Sequence, residues 1–194
     1  MYISCGRACT RCRHKSETGG FTLIELLVVV AVAVVLACLA APPLAEAMTL
    51  AKVSSASNNF VASLYIARSE AIKRNGRVVL CKSAEGINCA SSGGWEQGWI
   101  VFHDIDNDGL RNSSESLIMR ELPLSSSLRL TGNQNVARYI SFAPNGATRL
   151  LGGGFQAGTL TICNYSLGAA EGRHIVINAA GRPRVEKVTV SSCA

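Results

Sequence analysis

The chain has 194 residues, with 19 Lys and Arg against 13 Asp and Glu, a formal net charge of +6. The length fits one globular domain plus an appendage. About half of the excess sits before residue 21, where Arg7, Arg11, Arg13 and Lys15 face Glu17. The rest is spread thinly, and an excess this mild does not by itself argue for nucleic acid.

The first element is apolar. Phe21 through Ala41 is an unbroken apolar run whose one charge is Glu25. As a helix it spans about 31 Å, close to the hydrocarbon thickness of a bilayer. The basic flank precedes the run, so the N-terminus should stay cytoplasmic and the rest should cross. Three readings compete. A cleaved secretory signal fits the basic start but not the length or the acid. A lipoprotein signal, with Val35-Leu36-Ala37 before Cys38, fails on length again. The third is a cut between Gly20 and Phe21. It rests on "GGFTLIELLVV", which resembles the type III signal of type IV pilins and pseudopilins.

That resemblance implies a prepilin. A dedicated peptidase would cut after Gly20, Phe21 would be N-methylated, and the apolar run would stay as an inner-membrane anchor. Glu25, the fifth mature residue, would serve assembly. The physics agrees, because an unpaired carboxylate among lipid tails costs about 2.5–3.5 kcal/mol. A neighbouring subunit's N-terminal amine can pair with it in a filament. Cys5, Cys9, Cys12 and His14 mimic a zinc set by residue type but lie in the leader.

Pro42 and Pro43 interrupt the helix ladder where the apolar run ends. Beyond them Leu44, Met48, Ala51, Phe60, Leu64, Ala67 and Ala71 recur at helix-compatible spacing. The helix is expected to reach Arg74 and stop at Asn75-Gly76, a C-cap signal. Its end carries Ala-Arg-Ser-Glu-Ala-Ile-Lys-Arg before a strand closing in Cys81. This block resembles the GspH/FimT branch, minor pilins and pseudopilins that are not enzymes. As chemistry it is a charged helix end, with Glu70 ahead of Lys73 and Arg74 in the favourable order.

After residue 75 the composition turns to Gly, Ser, Asn and Thr between short apolar runs. Alternation marks strands near 77–82, 98–103, 116–122, 127–131, 138–143, 158–164, 172–178 and 184–190, seven or eight in all. The fold expected is α+β and type IV pilin-like: a long N-terminal helix, transmembrane in its first half, packed on a C-terminal antiparallel two-sheet β domain. The divisions are 1–20 leader, 21–41 transmembrane helix, 42–75 amphipathic helix and 76–194 periplasmic β domain.

Four of the eight cysteines, Cys81, Cys89, Cys163 and Cys193, follow the apolar run. They suggest two disulfides in an oxidising compartment. Of the three pairings, Cys81–Cys89 closes a local loop and Cys163–Cys193 pins the C-terminus, so this pairing is expected.

"DIDNDGLRNSSE" carries Asp104, Asp106, Asp108, Gly109 and Glu115 at the positions of a calcium loop. Strands flank it rather than helices, and Asp, Asn and Gly also suit a hairpin turn. Both readings stand, with calcium as the only candidate cofactor.

"NAAGRPRVEK" places Arg182 and Arg184 around Pro183 after Gly181, with Lys187 following and Arg173 nearby. Arginine forks suit phosphate oxygens. In FimT-like minor pilins a G-R-x-R motif near the C-terminus is implicated in DNA uptake. The resemblance thus implies contact with double-stranded DNA, without sequence preference, and a role in natural transformation. The alternative is a hairpin with solvated arginines in a type II secretion pseudopilin. Other pilins or pseudopilins and the prepilin peptidase are the protein partners implied. His103 and His174 lack a nucleophile at suggestive spacing, "LLGGGF" lacks a nucleotide-loop context, and Trp95 and Trp99 are expected in the core.

Overall fold

The computed structural model describes residues 20–165, 170–191 and 193, without the side chains of residues 39–43 and 170. The leader residues 1–19, with Cys5, Cys9, Cys12 and His14, lie outside the described residues, as do the side chains of Pro42 and Pro43. The chain forms two units, residues 1–43 and residues 44–194.

One helix, α1, spans Leu23–Arg74. In the first unit its large apolar side chains from Leu23 to Leu36 are all exposed, each by at least 52%. Among the described residues no helix is long and apolar enough to cross a membrane. The apolar run continues in sequence into residues 39–41, whose side chains are outside that description.

In the second unit α1 is one-sided. Val53, Ala56, Phe60, Leu64, Ala67 and Ala71 are buried at the three- and four-residue spacing of one helix face. Leu44, Met48 and Ala51, expected on that stripe, are exposed. The reason is phase: Ala51 and Phe60 stand nine positions apart, two and a half turns, so they face opposite ways. Val53 and Ala56 take the inner positions instead. The helix ends at Asn75, which adopts a left-handed φ of 49°. The Gly76 N–H reaches the Ala71 carbonyl at 3.2 Å and the Asn75 N–H the Ile72 carbonyl at 3.3 Å. These are the paired bonds of a Schellman cap.

Eight strands follow: β1 Val78–Lys82, β2 Trp99–His103, β3 Leu117–Glu121, β4 Leu128–Gly132, β5 Tyr139–Phe142, β6 Gly158–Asn164, β7 Ala170–Ile177 and β8 Pro183–Val190. They build two four-stranded sheets, ordered β3-β2-β1-β5 and β4-β6-β7-β8, antiparallel throughout. A short 3₁₀ turn, Trp95–Gln97, which the strand pattern did not show, enters β2.

The main core joins α1 to both sheets. Phe60 lies at its centre, with Trp95 and Trp99 edge-on at ring-centroid distances of 5.2 and 5.0 Å, the arrangement that ring quadrupoles favour. Each indole N–H is satisfied: Trp95 donates to the Val136 carbonyl and Trp99 to Ser63 Oγ, both at 2.9 Å. A smaller core of Val79, Cys81, Ile100 and Phe102 lies on the far face of the first sheet. β1 is therefore buried on both faces and reads as a continuous apolar run.

Disulfides join Cys81 to Cys89 and Cys163 to Cys193, with Cα separations of 5.6 Å and 5.9 Å, within the usual reach of the bridge. The first staples the loop after β1, and the second ties the C-terminal end to β6. Cys38 is free and exposed.

Candidate functional site

The β7–β8 turn runs from Asn178 to Arg182. Gly181 has a φ of +70°, a region open to glycine. A Cβ there would strike the Gly146 carbonyl and lie 3.2 Å from the Phe142 ring. So the turn is seated on the chain between β5 and β6. Thr148 holds it there: its N–H bonds the Ala179 carbonyl at 3.2 Å and its hydroxyl the Asn178 carbonyl at 2.9 Å. Gly181 is needed for this close approach whatever its arginine neighbours do.

The register sorts the expected cations. Residues opposite each other in an antiparallel pair share a face, and successive residues alternate. Arg173 faces Lys187 and Val176 faces Arg184. Arg184 and Lys187, three apart on β8, therefore point to opposite faces. Arg173 and Lys187 gather around one carboxylate, Glu171, at 2.6 and 3.8 Å. The Arg173 hydrogen bond, helped by Lys187, holds the Glu171 carboxyl below its usual range. Arg184 pairs with Glu186 at 3.1 Å on the other face. Arg182 is exposed in the turn and has no ion pair among the described residues. The five sequence candidates are thus near one another in the hairpin but do not form one patch, and Arg182 is the cation of the set without an ion pair among the described residues.

The acidic loop follows β2. Ligand atoms of Asp104, Asp106 and Asp108 lie within 4.8 Å of one another. Their oxygens already accept bonds inside the loop: Asp104 from the N–H of Asp108 at 3.1 Å and Gly109 at 3.2 Å, Asp108 from Leu110 at 2.6 Å, Asp106 from Asn112 Nδ2 at 2.9 Å. Glu115 is buried and turned to the backbone N–H of Ile105 and Asn112, at 2.7 and 3.1 Å. Glu115 is not one of the three carboxylates that cluster. Burial pushes the Asp104 carboxyl up to about 6; the Gly109 N–H opposes this and Glu115 adds to it. The turn closes on its own hydrogen bonds, with Asn107 and Gly109 supplying left-handed φ values of 64° and 72°, as residues of these types do in turns.

At the other end of the chain, Gly20 and Phe21 are exposed and precede the first turn of α1. Thr22 caps that turn, its hydroxyl accepting the Glu25 N–H at 3.2 Å. Thr22 is not among the sequence candidates, although its signal is legible: Thr-x-x-Glu before an apolar run is the capping-box pattern. Glu25 is acidic in the first helical turn, where a carboxylate suits the helix dipole.

Of the histidines, His174 faces outward between Thr161 and Glu186 in register, and His103 stands on β2 with its ring against Gly76. Neither is paired with a nucleophile in the hydrogen bonds described.

A long N-terminal helix carrying two antiparallel sheets is the architecture of a pilin-like subunit. Residues 56–181 match the family model described as type II transport protein GspH, and residues 16–40 match the prokaryotic N-terminal methylation motif. The crystal structure of the type IV minor pilin FimU of Pseudomonas aeruginosa (strain PAO1) is similar in fold, at 20% identity and a TM-score of 0.54, over 73% of this chain and 95% of that one. A second crystal form of FimU gives 21% identity and a TM-score of 0.53, over 73% and 99%. The minor pseudopilin EpsH from the type 2 secretion system of Vibrio cholerae also aligns, at 12% identity and a TM-score of 0.48, over 70% and 96%. Among the curated proteins nothing matches. The chain belongs to the GspH family, a family of pilin and pseudopilin subunits rather than enzymes.

Proposed function

We propose that the chain is made as a prepilin, cut between Gly20 and Phe21 by the prepilin peptidase and N-methylated at Phe21. The apolar segment then anchors it in the inner membrane with the β domain in the periplasm. The match to the methylation motif and the exposed apolar helix face support this. A helix apolar on all sides demands lipid or other helices around it. In a filament with other pilins, Glu25 pairs with the N-terminal amine of the next subunit.

The machine we favour is a type IV pilus, with this chain as a FimT-like minor pilin that helps prime assembly and captures DNA for natural transformation. The observation that carries the DNA reading is Arg182: an exposed guanidinium on a seated turn, without a carboxylate partner among the described residues. Arg184 stands two residues on, and a phosphate can displace its exposed pairing with Glu186, because such surface pairs are weak. The full chain in detergent micelles should shift a duplex of random sequence at low salt. Exchanging Arg182 and Arg184 together for Ala should abolish the shift. A wild-type chain that leaves the duplex unshifted at low salt rules the DNA role out.

The description of the matched family as a type II transport protein favours a second reading, a pseudopilin of the secretion system. Deleting the gene separates the two machines: loss of surface pili supports the first, and loss of protein export with pili intact supports the second.

A further inference from the structure

The Ala-Arg-Ser-Glu block of α1 carries one arginine with no role in the helix end itself. Arg74 and Lys73 pair with Glu70, but Arg68 has no ion pair among the described residues. It is half-buried and points across the fold. Its Nη1 donates to the Gly181 carbonyl at 3.1 Å, a contact between residues 113 apart in sequence. Its Nε lies against Gly146, only 2.9 Å from where a Cβ would stand. The carbonyl of the same Gly146 is what a Cβ on Gly181 would strike, so Gly146 leaves room for the guanidinium and Gly181 for the seat of the turn. Their φ values, 74° and 70°, exclude most side chains as well.

The peptide between Gly181 and Arg182 then has both polar groups tied. Its carbonyl accepts from Arg68, and its N–H donates to Asn178 Oδ1 at 3.0 Å. A peptide unit is planar, so fixing both ends fixes its rotation about the chain. That fixes where the Arg182 Cα stands, and the following Pro183 holds Arg182 to extended backbone, so its side chain leaves in a restricted direction.

We propose that Arg68 is the positioning residue of this anion-binding turn: it aims Arg182 at a phosphate without touching the phosphate itself. The proposal rests on the DNA reading above, with nucleic-acid phosphate as the ligand. Preorganisation of this kind raises affinity by removing an ordering cost at binding.

The test uses the full chain in detergent micelles and a fluorescent random-sequence duplex, titrated at several salt concentrations. The slope of log affinity against log salt counts phosphate contacts. Arg182→Ala should weaken binding and reduce that slope by about 1. Arg68→Met should weaken binding roughly tenfold with the slope unchanged. Arg68→Lys, which keeps a donor, should recover most of the loss. In parallel, amide exchange at Arg182 should quicken in Arg68→Met while exchange in β6 stays as in wild type. If the Met variant fails to fold, Arg68→Gln replaces it. Wild-type affinity in the Arg68 variant overturns the proposal, and so does a slope loss equal to that of Arg182→Ala, which makes Arg68 a contact. If the wild-type chain does not bind the duplex, the DNA reading is what fails. Exchange at Arg182 then decides the placement alone, and unchanged protection overturns it.

Discussion

The two stretches of α1 are both rich in apolar residues, yet they solve the problem of burial differently. From Leu23 to Leu36 every large apolar side chain is exposed, and they point in all directions. From Val53 to Ala71 the apolar residues recur on one stripe and are buried against the strands of the same unit. The second stretch carries its own partner in the chain. The first has none among the described residues, and on the reading proposed above its apolar surface goes to lipid or to other subunits. A uniform pattern thus points outside the molecule, while a periodic one points to a fold.

That contrast predicts unequal costs for similar substitutions. The largest is expected at Phe60, the ring against both tryptophans: Phe60→Ala should destabilise the domain by about 3–5 kcal/mol, read as a lowered thermal midpoint. A loss near zero there would mean that the stripe is not the core. A smaller effect belongs to the solvent side of the same stretch. The hydrogen bonds from Arg74 and then Lys73 hold the Glu70 carboxyl below its usual value of 4.5. Its stabilising contribution is therefore full above that value and is lost as pH falls through the lowered one. Glu70→Gln should cost about 0.5 kcal/mol at neutral pH. The gap to wild type should narrow in denaturant melts as pH falls below 4.5 and close once it is below the lowered value. The smallest effect is expected in the first stretch. Leu27→Ala should leave the domain's midpoint unchanged within about 0.5 kcal/mol, since Leu27 is exposed. A large loss there would erase the distinction between the stretches.

Much of the molecule is readable without coordinates, for local reasons. Asn75-Gly76 ends the helix because a left-handed residue is needed there, and alternation with glycine punctuation marks all eight strands to within two residues. Thr22 belongs to the same class of local signal, carried by the pattern Thr-x-x-Glu. The buried stripe is only partly readable. Spacing alone puts Leu44, Met48 and Ala51 on it, and the break of phase before Phe60 removes them.

The sequence by itself determined the long helix, its two patterns, the approximate strand positions and the N-terminal methylation motif, because each depends on residues a few positions apart. The tertiary structure alone decided the order of strands in two sheets, the split of the hairpin cations between two faces, and the pairing of Arg173, Lys187 and Arg184 with carboxylates. Those depend on register, which fixes which side chains share a face. It also decided that Arg68 holds the carbonyl of Gly181. No local rule links residues 113 positions apart; only the packing of α1 beneath the turn brings them together.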